Sequence, residues 1–364
     1  MSIERQFFFW AGALALLALA LYLLSGVMLP FAAGLALGYL LDPVANRLER
    51  WGLNRLGAAL IILILFVLLF IGVLIVVVPV LAHQLAAFID KLPDYVMRLQ
   101  ALAAQEGGGL VEKYGGDILG RLGLSNSVSP EEIQKSIGGL AAQGAQYILS
   151  FLRGLISGGA ALISLFSLIV VTPIVAFYIL VDWAAMLSAI DSWLPLKNRG
   201  AIHSIAGDID RALAGFIRGQ SLVCLILGLW YGIGLSLIGL NFGFLIGFSA
   251  GLLSFIPYVG SLTALVLSLG VAIVQGWPSW TLPLEALAIV GVGQMLEGNV
   301  LAPKLVGASV GLHPVWLMFA LFAFGSLFGF TGLILAVPAA AALGVLTRFF
   351  LKQYLASPLY RGGV

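Results

Sequence analysis

The sequence predicts an all-α membrane protein, a polytopic bundle of about eight membrane-spanning helices. Of its 364 residues, 61% are hydrophobic and only 9% are charged, whereas roughly a quarter of an ordinary soluble domain is charged. Apolar runs of about 20 residues, the length of helix that crosses ~30 Å of hydrocarbon, recur along the chain. Charged residues collect between these runs, as expected for loops outside the bilayer.

The apolar runs fall into two length classes. Long runs cover 7–24, 57–81, 155–181, 213–239, 281–300 and 331–350, and shorter runs cover 27–41, 243–256, 260–276 and 314–328. We interpret 7–24 as a retained span because no small-residue cleavage site ends it. Pro30, Pro257 and Pro314 bound short runs, so we predict Pro-broken or re-entrant helices there. Such breaks persist at membrane depth only where protein buries them or a cavity adjoins them.

Basic residues between the spans predict the orientation of the chain, because cytoplasmic loops of membrane proteins are enriched in Lys and Arg. They occur at Arg47, Arg50 and Arg55, at Lys197 and Arg199, and at Arg348, Lys352 and Arg361. We therefore expect a multi-pass protein of the cytoplasmic (inner) membrane of a prokaryote, with both termini in the cytoplasm.

Four regions are predicted along the chain. They are N-terminal membrane helices at 1–82, a small extracytoplasmic helical insert at 83–154, a membrane helix plus cytoplasmic loop at 155–212, and a C-terminal core at 213–364. The insert is polar, and Ser129, Pro130 and Glu132 match the start of a helix with a capping box.

A sequence echo links two parts of the C-terminal core. Gly247-Phe248 precedes Ile256-Pro257, and Gly329-Phe330 precedes Val337-Pro338 at nearly the same spacing. One interpretation is a pair of related hairpins, because transporters often pair repeats around a site near the membrane midplane. The other interpretation is coincidence in a Gly-rich membrane sequence.

Glu297 is the leading candidate for a functional residue, because an ionisable side chain within a membrane span is costly. Gln294 precedes it by about one helical turn on the same face, and Asn299 follows it. The carboxylate could carry a proton or coordinate a cation, while the two amides could bind a polar solute. The alternative is an interfacial Glu that its neighbours cap.

Three further polar residues are candidates. Arg218 and Gln220 stand at the entrance of a region, from Gln220 to Leu284, that contains no Asp, Glu, Lys or Arg. Arg218 would either pair with a carboxylate or a substrate anion, or extend to the lipid headgroups. His313 would be either a proton relay or a polar residue at a helix break.

Glycines and prolines mark the predicted walls and hinges of the core. Pro257, Tyr258 and Gly260 are expected to line a binding site opposite the Glu297 segment. The predicted hinges are Pro257, Pro303, Gly311, Pro314, Gly329 and Pro338. Gly243, Gly247 and Gly251 recur every four residues, which predicts a flat helix face for packing within the chain or between copies.

The sequence predicts neither an enzyme nor a metal, cofactor or nucleic-acid site. Cys224 is the only cysteine, and the three histidines are isolated. The absence of a Gly-Lys pair excludes a P-loop, so energy would come from a proton or sodium gradient. The formal charge of +2 comes from scattered basic residues, which argues against nucleic acid as a partner.

Short motifs over nearly the whole chain resemble those of the autoinducer-2 exporter family, also called PerM-like permeases. They are Leu41-Asp42-Pro43, Phe177-Tyr178 with Asp182, Arg218-Gly219-Gln220, Ile256-Pro257-Tyr258-Val259-Gly260, Gln294 with Glu297 and Pro303, Gly311-Leu312-His313-Pro314, Phe328-Gly329 and Ala336-Val337-Pro338. The resemblance implies a multi-span transporter that forms a homo-oligomer. Some members of that family are linked to export of the quorum-sensing furanone autoinducer-2, and others to sodium/proton exchange.

We therefore expect a secondary transporter that exports a small polar organic solute such as autoinducer-2 with ion coupling. Its site would lie between the two Pro-broken segments. The first alternative is a sodium/proton antiporter in which Glu297 is the exchanging carboxylate. The second is a membrane scaffold that recognises a partner through the extracytoplasmic insert.

Overall fold

The computed structural model describes residues 23–110, 159–196, 199–306 and 311–357, together with residues 12, 16 and 360. The helices are α1 (Ser25–Arg50), α2 (Arg55–Leu110), α3 (Gly159–Ser192), α4 (Arg199–Leu237), α5 (Gly243–Leu253), α6 (Val259–Gly276), α7 (Thr281–Leu296) and α8 (Pro314–Ala356). A π-helical segment, Glu297–Val306, continues α7. The described part of the chain contains no β-strand, so the all-α prediction is confirmed.

Seven of the described helices are long and apolar enough to cross a membrane. They cover Met28–Arg50, Arg55–Leu92, Ser167–Ser192, Arg199–Leu237, Val259–Gly276, Thr281–Val306 and Pro314–Ala356. The prediction of a polytopic bundle is therefore confirmed. The predicted first span at 7–24 falls almost wholly outside the described residues, as does the capping box at Ser129.

The helix boundary predicted at Pro30 is wrong. Pro30 lies inside α1, which continues past Pro43 to Arg50. A proline removes one backbone hydrogen bond of a helix, and neighbouring helices can supply replacements. The bond lost here is the one to the Gly26 carbonyl. Helix α3 packs beside the proline, where the Thr172 hydroxyl donates to the Pro30 carbonyl oxygen over 3.3 Å. The boundaries at Pro257 and Pro314 are confirmed, because each lies between helices or at a helix start.

Helices α5 and α6 form a hairpin that packs along α4. A Cβ atom added at Gly247 would overlap the backbone of Tyr231 and Gly232, and one at Gly251 would overlap Gly228. The glycine-rich face of α5 therefore packs within the chain. Because α5 has glycine at both contacts, its backbone approaches that of α4 closely and gains dispersion energy.

Helix α8 is a second hairpin, bent at Gly329. Gly329 has φ 59° and ψ −138°, a conformation that favours glycine. The two arms lie against each other, since a Cβ atom at Gly332 would overlap the carbonyl of Phe324. Near the open end of the hairpin, the Arg348 guanidinium donates to the Gly311 carbonyl over 3.1 Å.

The breaks in the two hairpins are not equivalent. The first hairpin turns at Ser254–Tyr258, around Pro257, whereas the second turns at Gly329 and keeps Pro338 inside a helical arm. In the sequence echo Gly329 is aligned with Gly247, which lies within α5. The echo therefore does not mark matching helix breaks.

The two hairpins meet beside the middle of α4. Helix α5 begins against Leu235, and the tip of its hairpin reaches Gln220. The α8 hairpin begins near Phe216, where Leu317 packs. Ile256, at the tip of the first hairpin, is buried against Leu321 and Ala336 on the two arms of the second.

Helix α2 extends past the predicted boundary at residue 82 and packs on the core. Phe88 and Leu92 belong to the largest buried cluster, with Leu240 and Phe242 from the loop between α4 and α5. The Gln84 side-chain oxygen accepts a hydrogen bond from the Leu245 amide over 2.9 Å. The start of the predicted insert is therefore integrated with the bundle. Most of the remaining insert, 111–154, lies outside the described residues.

The close contact between α4 and α5 makes a testable prediction. Gly251→Ala should lower the free energy of unfolding by about 1–3 kcal/mol, because the added methyl group overlaps the backbone of α4. Gly270→Ala is the matched control, since nothing lies within 4 Å of a Cβ atom there. The measurement is the thermal unfolding midpoint of the purified protein in detergent. Equal midpoints for the two variants would contradict the predicted packing.

Candidate functional site

Glu297 lies where α7 changes from an α-helix to a π-helix. Short π-helical segments often occur at functional sites. The Glu297 carboxylate accepts a hydrogen bond from the Gln294 amide nitrogen over 3.2 Å, so the structure brings these two predicted residues together. Asn299 behaves differently, because its amide donates to the Met295 backbone carbonyl over 3.1 Å.

Tyr231 extends this contact into the core. Its side chain is fully buried on α4, and its hydroxyl oxygen accepts from the Gln294 amide nitrogen over 3.3 Å. Gly293 makes the approach feasible, since a Cβ atom there would overlap the Tyr231 ring. The result is a hydrogen-bonded chain of Tyr231, Gln294 and Glu297 that joins α4 to α7. Sequence reasoning missed Tyr231, because its partner lies on another helix.

The charge of Glu297 has no neutralising partner in the described part of the chain. No Lys, Arg or His nitrogen there lies within 4.0 Å of its carboxylate oxygens. Gln294 donates a hydrogen bond but carries no charge, so it does not neutralise the carboxylate. An unpaired charge is expensive on a membrane-spanning segment, so this carboxyl group is suited to taking up a proton.

Gln220 holds the tip of the first hairpin. Its buried amide donates to the Ser254 carbonyl over 2.5 Å. Gly260 packs so tightly against Ser254 that a side chain would not fit. Tyr258 has φ 69° and is 53% exposed, so its ring points away from the packed tip.

Helix α4 adjoins both predicted walls of the binding site, but at different levels. One wall consists of Pro257, Tyr258 and Gly260, and the other contains Glu297. The hairpin tip contacts Gln220, whereas Gln294, the hydrogen-bond partner of Glu297, contacts Tyr231. These α4 residues lie about three turns apart, roughly 16 Å along the helix. Within the described residues, no hydrogen bond joins the two walls.

His313 caps the start of α8. Its Nδ1 accepts from the Val315 amide over 3.3 Å, and Pro314 occupies the first turn. This is the helix-break interpretation of His313. Among the predicted hinges, Pro257, Gly311, Pro314 and Gly329 lie at helix ends or breaks, whereas Pro303 and Pro338 lie inside helical segments.

Arg218 donates from Nε to the Tyr39 backbone carbonyl over 2.9 Å. In a regular helix this carbonyl would accept from the residue four positions later, but that residue is Pro43, which has no N–H. Arg218 thus replaces the bond that Pro43 removes. This contact links Arg218 of α4 to the Leu41-Asp42-Pro43 motif of α1.

A polar cavity of about 440 Å³ lies between α1, α3 and α4 beside Arg218. Its lining includes Tyr39, Asp42, Trp183, Asp210, Arg211 and Arg218. The Tyr39 hydroxyl donates to Asp210 over 2.7 Å, and its ring meets Trp183 edge to face at 6.3 Å. Of these residues, only Arg218 was predicted as a site residue.

Comparison with known proteins gives the family. The model of the family described as AI-2E family transporter matches residues 12–352. The chain belongs to this family. Membership makes the chain a multi-pass membrane transporter and confirms the resemblance in its motifs.

Relatives of this AI-2E family member carry transport names. A protein of Bacillus subtilis named as transport protein YrrI is 31% identical over 334 residues, which is 90% of this chain and 87% of the relative. A protein of Escherichia coli K12 named as permease PerM is 28% identical over 326 residues, covering 89% and 87% of the two chains. The family is thus one of transporters and permeases.

Arg55 forms a network in this AI-2E family member that sequence reasoning did not find. Its guanidinium bonds Asp42 at 2.8 Å, Asn46 at 2.7 Å and Glu49 at 3.1 Å, all on α1. Its Nε donates to the Leu180 carbonyl of α3 over 2.5 Å. A single side chain at the start of α2 therefore joins three helices at one end of the bundle. Asp42 in the Leu41-Asp42-Pro43 motif was the available signal.

The Arg55 network gives a second prediction. Arg55→Lys should lower the free energy of unfolding by about 1–3 kcal/mol, because an ammonium group cannot reproduce the planar fork that bonds several partners. We place the value toward the lower end, since the Arg55 side chain is 27% exposed and water screens its charge. Arg50→Lys, on an exposed residue at the end of α1, is the control. Thermal unfolding in detergent measures both, and equal midpoints would refute a stabilising role.

Proposed function

We propose that the chain is a secondary transporter that exports a small polar organic solute, with a proton as the coupling ion. Autoinducer-2 is the candidate solute that the family suggests. The observation that carries this proposal is the Glu297 carboxylate, on a membrane-spanning segment, hydrogen-bonded by Gln294 and without a cation within 4.0 Å in the described residues.

Protonation of Glu297 would change the polar groups offered to a solute. The carboxylate only accepts hydrogen bonds, whereas the carboxyl group also donates one. Gln294 can adapt, because its amide nitrogen bonds Tyr231 and its amide oxygen can accept from a protonated Glu297. Binding and release of one proton would therefore switch Tyr231, Gln294 and Glu297 between two hydrogen-bonding arrangements.

The two hairpins support a transport cycle. Both contact the middle of α4, and the tip of the first is buried between the arms of the second. Transporters often bind solute where broken helices meet and expose that place to each side in turn. We propose that the solute passes between the hairpins, near Gln220, while Glu297 carries the coupling proton.

A sodium/proton antiporter is the second candidate, because the same carboxylate could exchange its proton for sodium. Within the described residues, however, no group of three or more His, Cys, Asp or Glu side chains comes together. A sodium ion would then depend on one carboxylate and neutral oxygens. We therefore rank antiport below solute export.

We also propose that the chain lies in the inner membrane as a homo-oligomer, as its family suggests, with both termini cytoplasmic. Charged contacts gather at one end of the bundle, where Arg55 bonds Asp42 and Arg199 pairs with Asp191. Arg348 and its contact with Gly311 lie at the open end of the second hairpin. This charged end would face the cytoplasm under the positive-inside rule.

Scaffold function is the third candidate, and the packing of α2 sharpens its test. Deleting 83–150 would remove Gln84 and Phe88 from the core and so damage any function. A deletion confined to 111–150 spares these contacts. Under our proposal the shorter variant still transports solute in liposomes; loss of all transport from a folded variant would favour recognition through the insert.

The proton-coupling role of Glu297 can be measured directly. Purified protein is reconstituted into liposomes with an internal pH probe, and autoinducer-2 or sodium is added under an imposed proton gradient. We expect proton movement on adding autoinducer-2 and its loss in Glu297→Gln, because the amide cannot titrate. Glu285→Gln, an exposed carboxylate on the same helix, should behave like the wild type.

Other outcomes would change the assignment. Proton movement with sodium alone, lost in Glu297→Gln, would establish the antiporter. Unchanged proton movement in Glu297→Gln at every pH would remove Glu297 from the mechanism. A folded protein that responds to neither addition would refute both assignments of substrate.

A further inference from the structure

The cavity between α1, α3 and α4 contains two charges that no group in the described part of the chain neutralises. Asp42 is paired with Arg55, and Arg211 is paired with Asp208. Arg218 and Asp210 remain. In the described part of the chain, neither has an oppositely charged group within 4.0 Å, and they do not pair with each other.

Tyr39 keeps these two charges apart. Its backbone carbonyl accepts from Nε of Arg218, and its hydroxyl donates to one carboxylate oxygen of Asp210. The charged groups are therefore held at opposite ends of one tyrosine residue. The outer nitrogens of Arg218 and the second oxygen of Asp210 remain available to a molecule in the cavity.

We propose that this cavity binds a small zwitterion, with the anionic group of the ligand on Arg218 and its ammonium group on Asp210. Such a ligand satisfies both charges at once, whereas a simple anion would lie near an unpaired carboxylate and a simple cation near an unpaired guanidinium. The ligand charges must be several atoms apart to match the length of Tyr39. Phosphoethanolamine has this arrangement, and Trp183 supplies an aromatic wall for its ethylene group.

The position of the cavity allows two sources for this chemistry. Arg218 is the last charged residue before the uncharged part of α4, so the cavity lies where the helix passes from polar surroundings into the apolar region. A lipid headgroup of phosphatidylethanolamine could enter there, and so could a free solute. The site is separate from Glu297, so the proposal holds whether or not the proton-coupling assignment is correct.

Binding of phosphoethanolamine is the test. The full chain is placed in nanodiscs of phosphatidylglycerol, and titration calorimetry compares phosphoethanolamine with methyl phosphate and with ethanolamine. We expect phosphoethanolamine to bind at least about tenfold more tightly than either of the other two probes, since each lacks one of the two charged groups and so one charge-assisted contact. Arg218→Gln should weaken binding by about tenfold or more, and Arg47→Gln, at an exposed arginine of α1, should not.

Asp210→Asn separates binding from folding. Asparagine still offers an oxygen to the Tyr39 hydroxyl, so the contact between α1 and α4 can persist. This variant should lose the preference for phosphoethanolamine over methyl phosphate. No binding of phosphoethanolamine by the wild type, or an unchanged preference in Asp210→Asn, would overturn the proposal.

Nanodiscs that contain phosphatidylethanolamine distinguish the two sources. Weaker binding of soluble phosphoethanolamine in these discs than in phosphatidylglycerol discs would show that the lipid headgroup occupies the cavity. Equal binding in both would identify a site for a free zwitterion. Either result supports the proposal, because both require the wild-type preference for a ligand with two charges.

Discussion

Backbone groups that lose a helical partner inside a membrane need another one, because lipid offers no hydrogen bond. Polar side chains supply those partners at several places in this protein. Arg218 bonds the Tyr39 carbonyl that Pro43 leaves free, and Gln220 bonds the Ser254 carbonyl at the tip of the first hairpin. At the exposed open end of the second hairpin, outside the apolar part of the bundle, His313 likewise accepts from the Val315 amide, and Arg348 bonds the Gly311 carbonyl. Broken helices are stable here because these side chains complete them.

This requirement separates structural polar residues from functional candidates. Gln220 and His313 bond the backbone, which is sufficient reason for their presence, whereas Arg218 bonds the backbone through Nε and also lines the cavity. The contact between Gln294 and Glu297 is different, since it joins two side chains and leaves a carboxylate unpaired in the described residues. Asp210 also contacts a side chain rather than the backbone. Glu297 and Asp210 thus carry charges that no helix break requires, and with Arg218 they are the basis of the functional proposals.

Hydropathy predicted the fold class well, because the bilayer imposes one length scale on every span. Helix breaks were harder to predict. Pro257 lies in the turn between two helices, whereas Pro30 and Pro338 each lie inside one. The integration of Gln84 and Phe88 into the core was also missed, because their partners lie far away in the sequence.

The candidate site shows the same division. Gln294 and Glu297 could be paired from sequence because helical spacing places them on one face. The contact of Gln294 with Tyr231 and that of Arg218 with Tyr39 could not be predicted, since each joins helices that are remote in sequence. A proline inside a predicted helix was nevertheless a usable signal for a backbone carbonyl that needs another partner. Pro43 identifies Tyr39 as the residue whose carbonyl needs a partner, four positions earlier.

Helix α4 physically connects the two proposed sites. The π-helical segment that begins at Glu297 packs on α4 at Gly219, where an added Cβ atom would overlap the Leu305 carbonyl. Gly219 lies between Arg218, which faces the cavity, and Gln220, which holds the hairpin tip. The contact has no side chain to yield on the α4 side, and closely packed backbones do not deform gradually. A shift of the π-helical segment toward α4 would therefore press on α4 at the point where both the cavity and the hairpin are attached.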